Sequence, residues 1–263
     1  MSDFLNHITE ETQKRVDALK LSHPLSSLRQ RDRSDPVRSF GTSLWRSRGV
    51  SLIAELKQAS PSAGLIRKEN DIEGRLKAYE KGGASALSIL TEESYFHGSP
   101  QLLEVARLAT RLPLLRKDFI VDPYQIPESR SLGADAILLI VAILSGSRLK
   151  DFLQATQEAG LDALVEVHDE QELDQALLAG ATLLGINNRN LHTLEVDLQT
   201  TARLIPRIPS KGCTIVVESG IQAPDDLKRI RDWRAQAVLI GETLMRDPHP
   251  EDLVRRFVEV GQS

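Results

Sequence analysis

A single cysteine, Cys213, in a chain of 263 residues excludes any intrachain disulfide and fits a reducing compartment. Cys213 precedes an apolar run and is read as a packing residue, not a nucleophile. No C-x-x-C or H-x-x-x-H spacing occurs, and His7, His23, His97, His168, His192 and His249 form no ligand pattern, so no metal is expected. A G-x-G-x-x-G turn after the first apolar run is absent and no other cofactor fingerprint replaces it, so no cofactor is expected. Apolar runs stay far below the ~18 residues of a membrane span. The first residues, charged from Asp3 onward, lack the apolar stretch of a secretory leader, and a cytoplasmic location is expected. Aromatic residues make up only 4% of the chain and the net charge is −4. Basic clusters at Arg29–Arg33 and Arg229–Arg234 are interrupted by acids and have no aromatic series beside them. They read as solvated faces, not as a nucleic-acid surface.

What the chain does contain is a set of eight short apolar runs: SLIAEL, ALSIL, PLLRK, AILLIV, ALVEV, TLLGIN, TIVVES and AVLIGE. Their C-terminal ends bring up Glu55 and Lys57, Glu92, Lys117, Glu166, Asn187, Glu218 with Ser219, and a glycine turn at Gly241. Buried strands have no need of such groups, whereas a parallel barrel with its site at the C-terminal mouth requires them. The runs are rich in Val, Ile and Leu without strict alternation, as strands covered on both faces should be. Amphipathic segments follow them, several stopped by glycine: Ile72–Lys81, Pro123–Leu132, Ser147–Ala159, and Asp169–Ala179 with Asp169 as its cap. Pro224 is expected in the first turn of the helix after Ser219-Gly220.

Strand ends recur every 21 to 35 residues, one βα unit each. A doubly wound sheet uses the same alternation. Eight units, and polar residues spread over most strand ends, favour the closed (βα)8 barrel. The chain is therefore read as one domain over residues 1–263, with an N-terminal helical extension over 1–48 and the barrel over 49–263. At this size roughly three quarters of the unfolded surface can be buried, so no staple is needed. Within the extension, Asp3–Leu21 reads as an amphipathic helix using Leu5, Ile8, Val16 and Leu19. Ser34–Phe40 reads as a second helical turn.

Glu55 and Lys57, two apart in an extended segment, point to one face. The Ser60–Gly64 stretch after them has the small, turn-forming composition of a loop able to close over a ligand. Ser219, Gly220, Gly241 and Glu242 lie after strands seven and eight, where barrels bind phosphate; Glu242 would contribute its backbone only. Lys117 and Glu166, on strands three and five, face each other across a narrow mouth. They suit an acid–base pair, although a structural salt bridge is the alternative. Asn187 and Arg189 add an amide and a guanidinium suited to a carboxylate.

AELKQASPSAG, LSILTEESYFHGS, LLRKDFIVDPYQI, ADAILLIVAIL, LVEVHDEQEL, LLGINNRNLHTLEVD, VVESGI and LIGETLMR together resemble the indole-3-glycerol-phosphate synthase family, from about Phe4 to the C-terminus. The resemblance implies a (βα)8 barrel that converts 1-(2-carboxyphenylamino)-1-deoxyribulose 5-phosphate into indole-3-glycerol phosphate, CO2 and water in tryptophan biosynthesis. It implies Lys117 as general acid and Glu166 as base or charge stabiliser. Lys57 would hold the anthranilate carboxylate or act as a later acid, with Glu55 orienting it. Asn187 and Arg189 would hold polar groups of the substrate, and Glu218 would line the pocket. Ser60, Ser219, Gly220, Gly241 and Glu242 would cover the carboxylate and phosphate ends, with Phe96 and Phe119 walling the aromatic ring. Glu92 matches a polar position of unassigned role. The chain departs from the family at Gln58 and Ala142, where a lysine is frequent. A small-molecule substrate is the expected partner, without nucleic acid or membrane. A monomer is expected, although the family also has fused and dimeric members. A Schiff-base aldolase using Lys117, a phosphoribosylanthranilate isomerase and an inactive binding barrel remain the rival readings.

Overall fold

The computed structural model describes residues 3–30, 36–46, 49–191 and 193–263. Eight strands close into a barrel: β1 (Ser51–Leu56), β2 (Ala86–Leu90), β3 (Leu114–Lys117), β4 (Ala136–Ile140), β5 (Asp162–Val167), β6 (Leu183–Asn187), β7 (Thr214–Glu218) and β8 (Ala237–Ile240). Each pairs in parallel with its sequence neighbours, and β1 closes the ring by pairing with both β8 and β2. β1, β2, β4, β6 and β8 are buried along their whole length. This is why their sequences run as continuous aliphatics: inward side chains fill the barrel while outward ones meet the helices.

The helices begin and end where local chemistry dictates. Asp169 accepts from the Glu172 N–H and caps the helix Glu170–Ala179, which Gly180 ends at a φ of 92°. Asp71 and Gly83 bracket Ile72–Gly82 in the same way. The last helix, Pro250–Gln262, lies on that one, and a Cβ at Gly82 would come within 2.7 Å of Val254, so glycine permits the close approach. Pro224 does not enter its helix, which spans Asp226–Asp232. It sits in the turn before it, its carbonyl accepting from the Leu227 N–H.

The N-terminal extension touches both ends of the barrel. Its helix, Asp3–Ser22, buries Leu5 and Ile8 in the main core and packs Val16 with Leu28 and Tyr124. It reaches the segment after β3: Lys20 Nζ lies 2.6 Å from Asp122 Oδ2, and the Tyr124 hydroxyl donates to the His23 carbonyl at 2.7 Å. The second helical turn expected at Ser34–Phe40 is displaced. Residues 36–39 are irregular and the short helix is Phe40–Ser43, capped by Ser39; Ser34 and Asp35 lie outside the described residues. The fully buried Phe40 and Leu44 pack in the core at the N-terminal end of the strands, where the Gly41 N–H donates to Asp162. Among the described residues, no helix is long and apolar enough to cross a membrane.

Successive residues of β3 face opposite ways, so Lys117 enters the barrel while Arg116 turns outward beneath the helix Gln125–Ser131. Arg116 is fully buried and donates to Asp118 Oδ2 at 2.9 Å, Glu128 Oε2 at 2.7 Å and Ser129 Oγ at 3.0 Å. Arg15 of the first helix approaches the same Asp118 oxygen at 3.5 Å. Arg116→Ala would strand two carboxylates in the interior. It should cost about 3–5 kcal/mol in urea unfolding, and a loss below 1 kcal/mol would show that the cluster relaxes without it.

Candidate active site

At the C-terminal mouth of the barrel lies a cavity of about 490 Å³. Glu55, Lys57, Ser60, Phe96, Lys117, Phe119, Glu166, Asn187, Arg189, Glu218, Ser219, Gly220, Gly241 and Glu242 all line it. The sequence candidates thus converge from seven of the eight strand ends. β4 contributes Leu138 and Ile140, and Ala142 is absent from the wall, so that side is apolar. Glu92 does not line the cavity. Its carboxylate accepts from the backbone N–H groups of Ser94, Tyr95 and Phe96 at 2.8–3.0 Å and so shapes the turn that presents Phe96. Gln58 likewise turns aside, donating to the His97 carbonyl at 2.9 Å.

The centre of the site is an ionic cluster. Lys117 Nζ lies 2.6 Å from Glu166 Oε2 and 2.7 Å from Glu218 Oε2. Burial pushes the lysine's pKa down, but Glu166, Glu218 and Glu55 outweigh it and hold the ammonium charged well above the ordinary lysine range. Burial alone would raise the pKa of Glu166; Lys117 and His168 reverse that and keep it well below the usual carboxylate range. Glu218 goes the other way. Burial raises it, Lys117 only partly opposes, and the neighbouring Glu166 and Glu55 reinforce the rise to about 7. Two carboxylates therefore share one lysine, and one of them stays readily protonated.

Asn187 at the end of β6 ties this cluster to the rim. Its Nδ2 donates to Glu166 Oε1 at 3.1 Å, while its Oδ1 accepts from the Ser219 hydroxyl at 2.8 Å and the Arg189 N–H at 3.0 Å. The Ser219 hydroxyl is thus aimed at Asn187, and the Arg189 guanidinium donates to the Leu194 carbonyl at 2.8 Å, bracing the loop over the cavity. Lys57 Nζ lies 3.3 Å from Glu55 Oε1, as the two-residue spacing predicts, and Ser88 donates to the other Glu55 oxygen at 3.0 Å. Ser60 belongs to a two-stranded hairpin, Ala59–Ser60 with Gly64–Leu65, and its Oγ accepts from the Ala63 N–H at 3.2 Å. The Glu242 carboxylate pairs with Arg246, which also lines the cavity, at 2.8 Å. Phe96 and Phe119 form an aromatic wall with ring centres 6.3 Å apart.

Two glycines have roles that a motif reading does not supply. A Cβ at Gly241 would fall 2.4 Å from Glu55 Oε1, and one at Gly185 would fall 2.2 Å from Glu218 Oε1. Each leaves the space that a buried carboxylate occupies. Ser219 and Gly220 follow one another at φ of 64° and 85°; for the serine this costs about 1–2 kcal/mol.

Sequence reasoning also passes over Phe4 of the first helix, which lines the cavity, and His168, whose Nε2 lies 3.2 Å from Glu166 Oε1. The two-residue period that pairs Glu55 with Lys57 also pairs Glu166 with His168. His192 lies outside the described residues.

A closed eight-stranded βα barrel whose mouth gathers lysines, carboxylates and an aromatic wall is a barrel enzyme that works on a small molecule. The sequence model of indole-3-glycerol phosphate synthase matches residues 5–257. The indole-3-glycerol phosphate synthase of Azospirillum brasilense is 48% identical over 250 residues, covering 94% of this chain and 95% of that protein. The enzyme of that name from Koribacter versatilis (strain Ellin345) is 44% identical over 260 residues, covering 98% and 100%. The chain belongs to the indole-3-glycerol phosphate synthase family, carboxy-lyases of tryptophan biosynthesis. Among solved structures, KGPDC from Streptococcus mutans matches with a TM-score of 0.60 at 17% identity, covering 81% of this chain and 97% of that one. Thiamine phosphate pyrophosphorylase from Pyrococcus furiosus matches at 0.59 and 12% identity, covering 80% and 94%. These are likenesses of fold alone.

Gly185→Ala would drive Glu218 off its position, while its Cβ would meet the buried Leu164 Cδ1 only at 3.4 Å. Turnover should fall by up to about 10²-fold and the unfolding midpoint should drop as Lys117 loses a buried partner; unaltered kcat would mean that Glu218 has no fixed position to lose.

Proposed function

We propose that this enzyme closes the indole ring of 1-(2-carboxyphenylamino)-1-deoxyribulose 5-phosphate by general acid and general base catalysis, with Lys117 as acid and Glu166 as base. The observation that carries the reading is the Lys117 ammonium, fully charged at the base of the cavity between two carboxylates.

Ring closure joins the ring carbon that bears the carboxylate to the substrate's ketone carbon, and the ketone oxygen becomes an alkoxide. An alkoxide is far more basic than Glu166 or Glu218, so the proton passes from Lys117 to it. CO2 then leaves and restores the aromatic ring. The new hydroxyl departs as water while Glu166 takes the proton whose loss completes the indole.

Lys57, oriented by Glu55, would pair with the carboxylate before it is lost and donate a proton in the later step. Phe96 and Phe119 would flank the aromatic ring. Asn187 and Arg189 would hold the polar chain. Ser219, Gly220, Gly241 and the Glu242 backbone would take the phosphate, with Ser60 closing from the hairpin. The cavity, about 490 Å³, is in the range of small-molecule sites.

An aldolase reading fares worse on the same observation. Imine formation needs a neutral lysine, and Glu166 and Glu218 hold Lys117 in its charged form. Residues 1–263 would then act as one catalytic unit, a monomer working on a small molecule in the cytoplasm.

Mixing the protein with the substrate in the presence of EDTA should raise indole absorbance and fluorescence; a folded protein that produces neither would refute the reading. Lys117→Ala should lower kcat by about 10²- to 10⁴-fold with little change in folding, and Glu166→Gln should also slow turnover by orders of magnitude. Near-parental turnover in either variant would remove that residue from its role. Arg189→Ala should chiefly raise KM, and an unchanged KM would take the substrate's polar groups away from Arg189.

A further inference from the structure

β5 delivers Glu166 to the cavity, and the next side chain on the same face is His168. Its side chain is only 12% exposed and stands between two carboxylates: Nε2 is 3.2 Å from Glu166 Oε1 and Nδ1 is 2.9 Å from Glu172 Oε2. Glu172 is itself fixed. The same oxygen accepts the His168 N–H at 2.8 Å, while the Glu172 N–H donates to the cap residue Asp169 at 2.8 Å. A chain of contacts thus runs from the N-terminus of the helix Glu170–Ala179 through Glu172 and His168 to Glu166.

The imidazole makes a true hydrogen bond only to Glu172. Its approach to Glu166 is an ion-pair contact off the hydrogen-bond line. The charged groups around this pair are Lys117 from β3, Glu218 from β7, Glu55 and Lys57 from the end of β1, and Glu172 from the helix. Burial lowers the imidazole's pKa, but Glu166 and Glu172 overcome it and lift it to about 10, so it is a cation at neutral pH.

A buried carboxylate whose only counter-charge is the lysine that donates the proton would be left uncompensated at the moment that lysine becomes neutral. It would then take up a proton and cease to be a base. We infer that His168 is a positioning residue for Glu166, a second cation that keeps the carboxylate charged and aimed into the cavity once Lys117 has given up its proton. The inference rests on the reading of Glu166 as the base. His168 itself does not reach the reacting atoms; Glu172 holds it in place.

The test is the pH dependence of kcat in His168→Asn and His168→Gln, with unfolding midpoints measured alongside. His168→Asn should lower kcat at pH 7 by about 10- to 100-fold, part of what a general base supplies, with KM nearly unchanged. Because a cation next to Glu166 is lost, its carboxyl should hold a proton to higher pH. The acid limb of the profile should move up by about one unit or more, with activity recovering on the alkaline side.

His168→Gln, a second neutral side chain at the same position, should shift the limb the same way. If His168→Asn fails to fold, this second variant reads the effect alone. Folded variants with the parental limb, or with a uniform loss of kcat and no shift, overturn the inference. Glu166→Gln separates the two levels: if it turns over like the parent, the base reading fails and this inference with it. An inactive Glu166→Gln beside an unaffected His168→Asn overturns only the role of His168.

Discussion

The burial of Lys117 organises this molecule. An ammonium at the bottom of a barrel cavity loses most of its hydration, and only carboxylates at hydrogen-bond distance make that tolerable. Two supply the contact directly, at 2.6 and 2.7 Å, and a third, Glu55, adds to the field. Each of those carboxylates then needs something in turn. Glu166 takes Asn187 and His168, Glu55 takes Ser88 and Lys57, and Glu218 takes the hollow left by Gly185. Much of the mouth follows from one buried charge and the neighbours it requires.

The same residue pair on β3 divides stability from chemistry. Lys117 faces in and is surrounded by groups able to exchange protons. Arg116 faces out and is locked among Asp118, Glu128 and Ser129, a guanidinium that keeps its proton throughout. Arg15 and Lys20 of the first helix grip Asp118 and Asp122 just beyond, so the extension steadies the segment that carries Phe119. Strain collects instead on the opposite side of the mouth. There Ser219 holds a left-handed backbone and Glu218 sits in a setting that favours its protonated form. A barrel of fully buried aliphatic strands can support both, because its own stability comes from elsewhere.

Much of this was legible in the chain. Aliphatic runs ending in Glu, Lys or Asn marked the strands and the face on which the site lies, because a parallel strand buried on both sides has no other use for such residues. Asp169 and the glycines at 83 and 180 marked helix limits through interactions that span only a few residues. The fourteen candidate residues line one cavity because strand order and the barrel mouth leave them nowhere else to converge.

Other features depended on partners far away in sequence. Glu92 looked like a mouth residue, yet it turns back to cap its own loop; Pro224 looked like a helix start, yet it belongs to the preceding turn. Gly185 reads as an ordinary strand glycine until Glu218, from the neighbouring strand, fills its missing side chain. His168 reads as a stray histidine until Glu166 and Glu172, from either side, make it a cation despite its burial. The sequence by itself determined which groups stand at the strand ends, since that follows from local periodicity. Only the closed barrel decided which of them meet, which are left charged and which empty spaces they fill, because those outcomes turn on distances and desolvation that arise when β1 pairs with β8.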